Sequence, residues 1–251
     1  MNTQESKQAI NESKNIYLIP SQEPEAVSSA LALFYTLKEL GKNVNLIIET
    51  LPDGLKFLSP SLDFISYPKN FVISIPNKIA GISQIHYEKN DEALKIHLTL
   101  ENGNIKKDNI SFYFSETKPD LIITVGVKDY SLELRDTLNS FGFLLDSPIL
   151  NIDSSPLAKG ERVDNGTENK KFGRINLLES FSITEIIFNL IKDLNGGPTK
   201  KETATCLLSG LVIYTENFKN KITADIFEIA SGLMKKGADL KEIINNIYKI
   251  T

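Results

Sequence analysis

Three consecutive stretches near the start of the chain restrict its fold more than any other feature. Residues 15–19 (NIYLI) are a short apolar run that leads into the loop Pro20-Ser21-Gln22-Glu23-Pro24-Glu25. Residues 26–40 (AVSSALALFYTLKEL) carry helical apolar spacing, and Gly41 stands where a left-handed glycine closes a helix. Pro24 and the two glutamates suit a first helical turn, where proline costs nothing and carboxylates meet the helix dipole. Residues 44–48 (VNLII) are apolar again. Strand, helix and strand in this order form a crossover unit, which sets adjacent strands parallel. Two later runs repeat the strand texture: residues 121–125 (LIITV), apolar throughout as in a doubly covered parallel strand, and residues 148–152 (PILNI). The expected class is α/β, a mainly parallel sheet flanked by helices.

The rest of the chain is arranged around that sheet. Residues 1–14 are polar and read as a flexible tail. Residues 70–75 form a further strand. Residues 94–100 then alternate cleanly, with Leu94, Ile96, Leu98 and Leu100 on one face and Lys95, His97 and Thr99 on the other. With residues 82–87 they predict an antiparallel hairpin that has one wet face. Residues 110–114 extend it, within an insertion at the sheet edge spanning 77–116. His97 falls on the polar face and His86 beside apolar neighbours; both read as ordinary hairpin side chains, with a two-histidine metal site as the alternative. Residues 130–138 read as a helix and 159–171 as a solvated, charge-balanced loop. Residues 180–250 read as helices. Ser182-x-x-Glu185 and Thr199-x-x-Glu202 have the capping-box spacing, Thr223 caps a third helix, and Asp239 opens a fourth. The main domain runs over 15–251.

Composition limits the function classes. A net charge of −4 gives no basic field for bulk nucleic acid or for an anionic membrane surface. No apolar run approaches a membrane span and no signal-peptide core is present, so the expected location is the cytoplasm. The single cysteine, Cys206, agrees with a reducing compartment and reads as a buried, inert thiol. Two histidines exclude a histidine-rich metal centre. No G-x-G-x-x-G follows any strand, which argues against a dinucleotide site.

The stretch with the best address for chemistry is Asn151-Ile152-Asp153-Ser154-Ser155-Pro156. It closes a strand of the parallel sheet, and ligands collect at the carboxyl ends of such strands. Asp153, Ser154 and Ser155 are also common turn residues, so capping a turn accounts for them equally well.

Five stretches in order resemble the DHH phosphoesterase superfamily, in particular its bacterial nanoRNase and phosphoadenosine-phosphate phosphatase branch. Residues 23–33 (EPEAVSSALAL) look like the first motif, an Asp-x-Asp-Ala pair before a small-residue helix start. Residues 121–129 (LIITVGVKD) look like the second. Asn151–Pro156 looks like the Asp-His-His-Pro motif, residues 207–218 (LLSGLVIYTENF) like the fourth, and residues 228–239 like the connecting helices.

The resemblance implies a centre of two Mn²⁺ or Mg²⁺ ions held by aspartates and histidines, which clamp a phosphate and supply hydroxide. It also implies that this centre is degenerate. The first-motif histidine falls at Ile19, and its two acids are Glu23 and Glu25. The second-motif acid falls at Gly126, with Asp129 nearby; the strand end at Ile75-Pro76 is a second placement and offers no acid. Both third-motif histidines are Ser154 and Ser155, leaving Asp153. The fourth-motif aspartate falls at Tyr214. The family's C-terminal substrate domain, with its Gly-rich signature, has no counterpart in these 251 residues. The expectation is therefore a catalytically inactive binding or regulatory protein without a cofactor, its ligand a protein partner or a phosphate-bearing small molecule. The alternative is a phosphoesterase acting on short oligonucleotides or nucleotides, with Mn²⁺ or Mg²⁺ on Glu23, Glu25, Asp129 and Asp153.

Overall fold

The computed structural model describes residues 2–48, 50–59, 70–115, 118–128, 147–154 and 172–248. The chain forms two compact units, one of residues 1–66 with 118–251 and one of residues 67–117.

The first unit is built on a five-stranded sheet of β1 (Asn15–Pro20), β2 (Asn43–Leu46), β7 (Leu121–Val125), β8 (Ile149–Ser154) and β9 (Ile175–Glu179). Their spatial order is β2-β1-β7-β8-β9, and every pairing is parallel. The sheet was legible except for β9, whose mixed INLLE sequence lacks a strong apolar run. The order in which strands are added reverses between β1 and β7, which makes their carboxyl ends the switch point where an open parallel sheet leaves a crevice.

Helix α2 (Pro24–Glu39) follows β1. Pro24 occupies its first turn, and Gly41 takes the left-handed conformation behind it. One sheet face places Ile16, Leu18, Leu121, Ile123, Val125, Leu150 and Ile152 in a buried core with α2, α3 (Ile183–Asn195) and α4 (Lys201–Tyr214). The alternate residues Tyr17, Ile19 and Ile122 belong to a smaller apolar cluster on the other face. Small residues let α2 and α4 approach closely. Ser28 Oγ donates to the Cys206 carbonyl at 2.7 Å, and the Cys206 thiol is buried, which pushes its pKa up and keeps it inert. Helices α5 (Ala224–Lys235) and α6 (Leu240–Tyr248) complete the unit, and α6 buries Ile243.

Two expectations are corrected here. The stretch read as a flexible tail contains helix α1 (Asn2–Glu12), whose Ile10 joins the core; one apolar anchor suffices to fix a polar helix. Thr199 does not cap α4. Its hydroxyl donates to Glu39 on α2, and Lys200, at the cap position, makes no capping bond and pairs its ammonium with Glu39 instead. Ser182 and Thr223, by contrast, cap α3 and α5 as their spacing indicated. The helix expected over 130–138 and the loop over 159–171 lie outside the described residues.

The second unit contains two antiparallel ribbons. β3 (Asn70–Ser74) pairs with β6 (Ser111–Ser115), and β4 (Ala80–Lys89) pairs with β5 (Leu94–Gly103). The segment expected to extend the hairpin thus pairs with β3 instead. The alternation of β5 is as read, but its apolar face is not covered: Ile85 and Tyr87 are 68% and 73% exposed, and Leu94 and Ile96 are exposed beside them. A two-stranded ribbon has no second layer of its own to bury a face.

Candidate functional site

The carboxyl ends of β1, β7 and β8 come together through main-chain bonds. Ser21 N–H donates to the Val125 carbonyl at 2.9 Å, and Gly126 N–H donates to the Ile152 carbonyl at 2.8 Å. Thr124 donates to the Asn151 side chain at 3.1 Å across the β7–β8 pair. The first, second and third motifs therefore meet at one sheet edge, as the strand-end argument required.

The side chains at that edge decide what it can hold. Ile19 is buried against the apolar cluster of Tyr17, Ile122 and Val127 and offers no donor. Gly126 has φ +69°, and a Cβ built there would lie 2.8 Å from Ala26 Cβ and 2.9 Å from Ile183 Cδ1. A side chain at Gly126 would need α2 to shift at Ala26 and the Ile183 side chain to turn away. The other placement of the second motif, at Ile75-Pro76, follows β3, which pairs antiparallel in the second unit and not in the parallel sheet. Asp153 is 5% exposed, and its Oδ1 accepts the Ser154 N–H at 2.8 Å. Ser154 is half-buried at the end of β8. Asp129 and Ser155 lie outside the described residues.

The two glutamates of the first motif have separate settings. Glu23 is exposed at the N-cap of α2 and makes no capping bond. Glu25 is half-buried and turned onto the start of α3. Its Oε1 accepts both the Thr184 N–H, at 3.1 Å, and the Thr184 hydroxyl, at 3.2 Å. Local sequence builds this contact from several sides. Ser182 and Glu185 close a capping box that shapes the first turn of α3. Ser29, one turn along α2, lies 3.0 Å from the Thr184 hydroxyl. Gly210 on α4 leaves room for Thr184, since a Cβ there would lie 2.4 Å from Thr184 Oγ1. Burial raises the Glu25 carboxyl above its ordinary value, while Thr184 donation and the charge of Lys221 pull it back down.

Lys221 comes from a loop that the sequence did not single out. Glu216, Asn217 and Phe218 run through the left-handed region at φ 51°, 61° and 57°, and Lys221 has φ 52°. Thr215 supports the turn: its carbonyl accepts Lys219 and Asn220 N–H, and its hydroxyl accepts Phe218 N–H. The Lys221 ammonium stands 4.7 Å above the Tyr214 ring, at the position of the fourth-motif acid. Tyr214 is itself raised by burial first, then by the charges of Glu185 and Glu25. Glu25, Thr184, Glu185, Tyr214 and Lys221 thus share one electrostatic neighbourhood. Thr184, Glu185 and Lys221 were missed as site residues. Only the capping box at Ser182 hinted that the α3 start has a defined geometry.

The two-cation centre that the resemblance implies does not fit the described residues. Two ligand positions are taken by an isoleucine and a closed glycine, a third by a tyrosine ring under an ammonium, and the half-buried carboxylate is turned onto a helix N-terminus. A groove of about 380 Å³, which shares Glu185 with this neighbourhood, lies between α3 and α5. Its walls include Phe181, Phe188 and Ile229 with the acids Glu185, Asp225 and Glu228, against one cation, Lys192.

No protein-family model matches this chain, and no curated protein matches its sequence. Solved structures do match. An exopolyphosphatase-related protein from Bacteroides fragilis superposes with a TM-score of 0.66 at 18% identity, over all of this chain and 61% of its own. The exonuclease RecJ bound to manganese aligns at 14% identity with a TM-score of 0.40, over 94% of this chain and 47% of its own. RecJ from Thermus thermophilus in complex with Mn²⁺ aligns at 12% with 0.40, over 99% and 31%. This chain spans about three-fifths of the exopolyphosphatase-related structure. It has that protein's fold: an α/β architecture with a mainly parallel five-stranded sheet, flanking helices and antiparallel ribbons.

Proposed function

We propose that this chain is a DHH-superfamily protein that acts by binding, its phosphoesterase centre no longer able to assemble two divalent ions. The observation that carries this reading is the setting of Glu25. An acid that serves a metal must present its oxygens to the cation. Here one oxygen is engaged by Thr184, and the balancing positive charge is an ammonium fixed to the chain. A lone pair committed to a helix N-terminus and a cation that cannot exchange make a stable structural contact and a poor catalytic one. Within the superfamily, the motif pattern favours the nanoRNase branch. A protein partner is the favoured ligand, because the groove between α3 and α5 combines aromatic surface with acids and would repel a phosphate. No described helix is long and apolar enough to cross a membrane. With one buried thiol, the chain suits the cytoplasm.

The test is hydrolysis of a short oligonucleotide by the full chain with Mn²⁺ or Mg²⁺, together with melting in Mg²⁺. The expected result is no metal-dependent turnover and an unchanged melting temperature, since only a ligand of the native state raises it. Turnover that needs the metal and disappears in Asp153→Ala would overturn the reading. It would establish instead a phosphoesterase working from Asp153, Glu23, Glu25 and Asp129.

A further inference from the structure

The chain's two histidines meet in the second unit. The β4–β5 register places His86 directly opposite His97, so both project from the same face of the ribbon. Their rings stack with centroids 4.5 Å apart and planes 5° from parallel. Glu88, two residues beyond His86, falls on that face too, and its Oε2 lies 3.7 Å from His97 Nε2. One ligand atom from each of the three residues lies within 4.8 Å of the other two. His97 Nε2 is shielded from solvent and has no hydrogen-bond partner among the described residues, although the ring as a whole is partly exposed.

We infer that His86, Glu88 and His97 form a binding site for a divalent transition-metal ion of the zinc class. A neutral imidazole offers the lone pair of one ring nitrogen to a metal, and His97 Nε2 faces Glu88 with no hydrogen-bond partner among the described residues. A nitrogen that is shielded and unbonded costs free energy, and 3.7 Å is too wide for a hydrogen bond to Glu88 to offset it. An ion between the three groups satisfies that nitrogen and the carboxylate together. Two ligands of one tetrahedral zinc ion lie roughly 3–3.5 Å apart, a small closure for side chains on an open ribbon. The N₂O donor set selects zinc, nickel or copper over magnesium and calcium, which prefer oxygen ligands. The site also has a structural consequence. A two-stranded ribbon is marginal by itself, and an ion that joins its strands stabilises the paired form through binding linkage.

This inference is independent of the sheet-edge reading, because its residues lie in the other unit. Attribution is simple: the chain has no third histidine, and its one cysteine is buried. The experiment is calorimetric titration of the full chain with zinc chloride at neutral pH, with imidazole proton resonances followed in parallel. One saturable site per chain is expected, with shifts in both imidazole spin systems. His86→Ala and His97→Ala should each weaken binding at least about tenfold, and Glu88→Gln should weaken it in the same direction. Asp153→Ala should leave it unchanged, and magnesium should not compete. The absence of saturable binding overturns the inference. So does zinc affinity that survives both histidine substitutions, which would place the ion on carboxylates elsewhere. Circular dichroism of each variant confirms that the exposed substitutions leave the fold intact.

Discussion

The chain has two places where a cation could be held, and they have opposite chemistry. At the edge of the parallel sheet the position for ions agrees with the motif order, but the donors are occupied: Glu25 by Thr184, and the fourth-motif position by Tyr214 under Lys221. On the β4–β5 ribbon the position has no motif behind it, yet the donors are open: His97 Nε2 is unbonded and Glu88 lies just beyond hydrogen-bond reach. The lesson is that location and ligand capacity separate. A buried edge must satisfy its own polar groups within the protein, or carry the cost of unpaired charge. On the ribbon the unbonded His97 nitrogen is shielded from water, so its cost stands until an ion is bound.

The sharpest way to break this contrast is to place an acid at Gly126. Gly126→Asp should destabilise the protein by about 2–4 kcal/mol in urea denaturation, from overpacking against Ala26 and Ile183 together with left-handed strain. A loss below about 1 kcal/mol would mean that the edge can still accept a ligand, and the two sites would no longer differ in kind. Thr184→Val comes next, at roughly 1–3 kcal/mol, because it removes one of the donors to the half-buried Glu25 carboxylate. Gly210→Ala should produce a similar loss by displacing Thr184, with no contact of its own to Glu25.

A smaller effect concerns pH. Burial raises the Glu25 carboxyl above its ordinary 4.5, so the native state holds that proton more tightly than the unfolded chain does. The resulting stabilisation is complete below the unfolded value and is lost as pH rises through the folded one. Melting curves across that window should fall more steeply for the wild type than for Glu25→Gln; parallel curves would remove burial as the dominant influence. The smallest effect belongs to Lys221→Met. The exposed cation–π contact on Tyr214 is worth about 0.5 kcal/mol, while the substitution should move Glu25 titration upward, visible in carboxyl carbon shifts.

Much of this was legible in the chain alone. The strand texture at 121–125 and 148–152, the crossover from 15 to 48 and the caps at Ser182 and Thr223 all express local rules, and the structure keeps them. Strand-end reasoning put Gly126 just beyond β7 and Asp153 near the end of β8, where the structure has them. The failures share a cause as well. Thr199 had the correct spacing for a cap but found a partner on α2, and helix α1 depends on Ile10 reaching a core assembled from distant segments.

The sequence by itself determined the class of fold and the placing of Gly126 and Asp153 at strand ends, because these follow from periodicity, caps and residue identity along the chain. Tertiary structure alone decided that Gly126 is closed, that Glu25 answers to Thr184 and Lys221, and that His86 faces His97. Each of those depends on register or on packing between segments remote in sequence. A shift of one residue in strand pairing would put the two histidines on opposite faces, and no local pattern sets that shift.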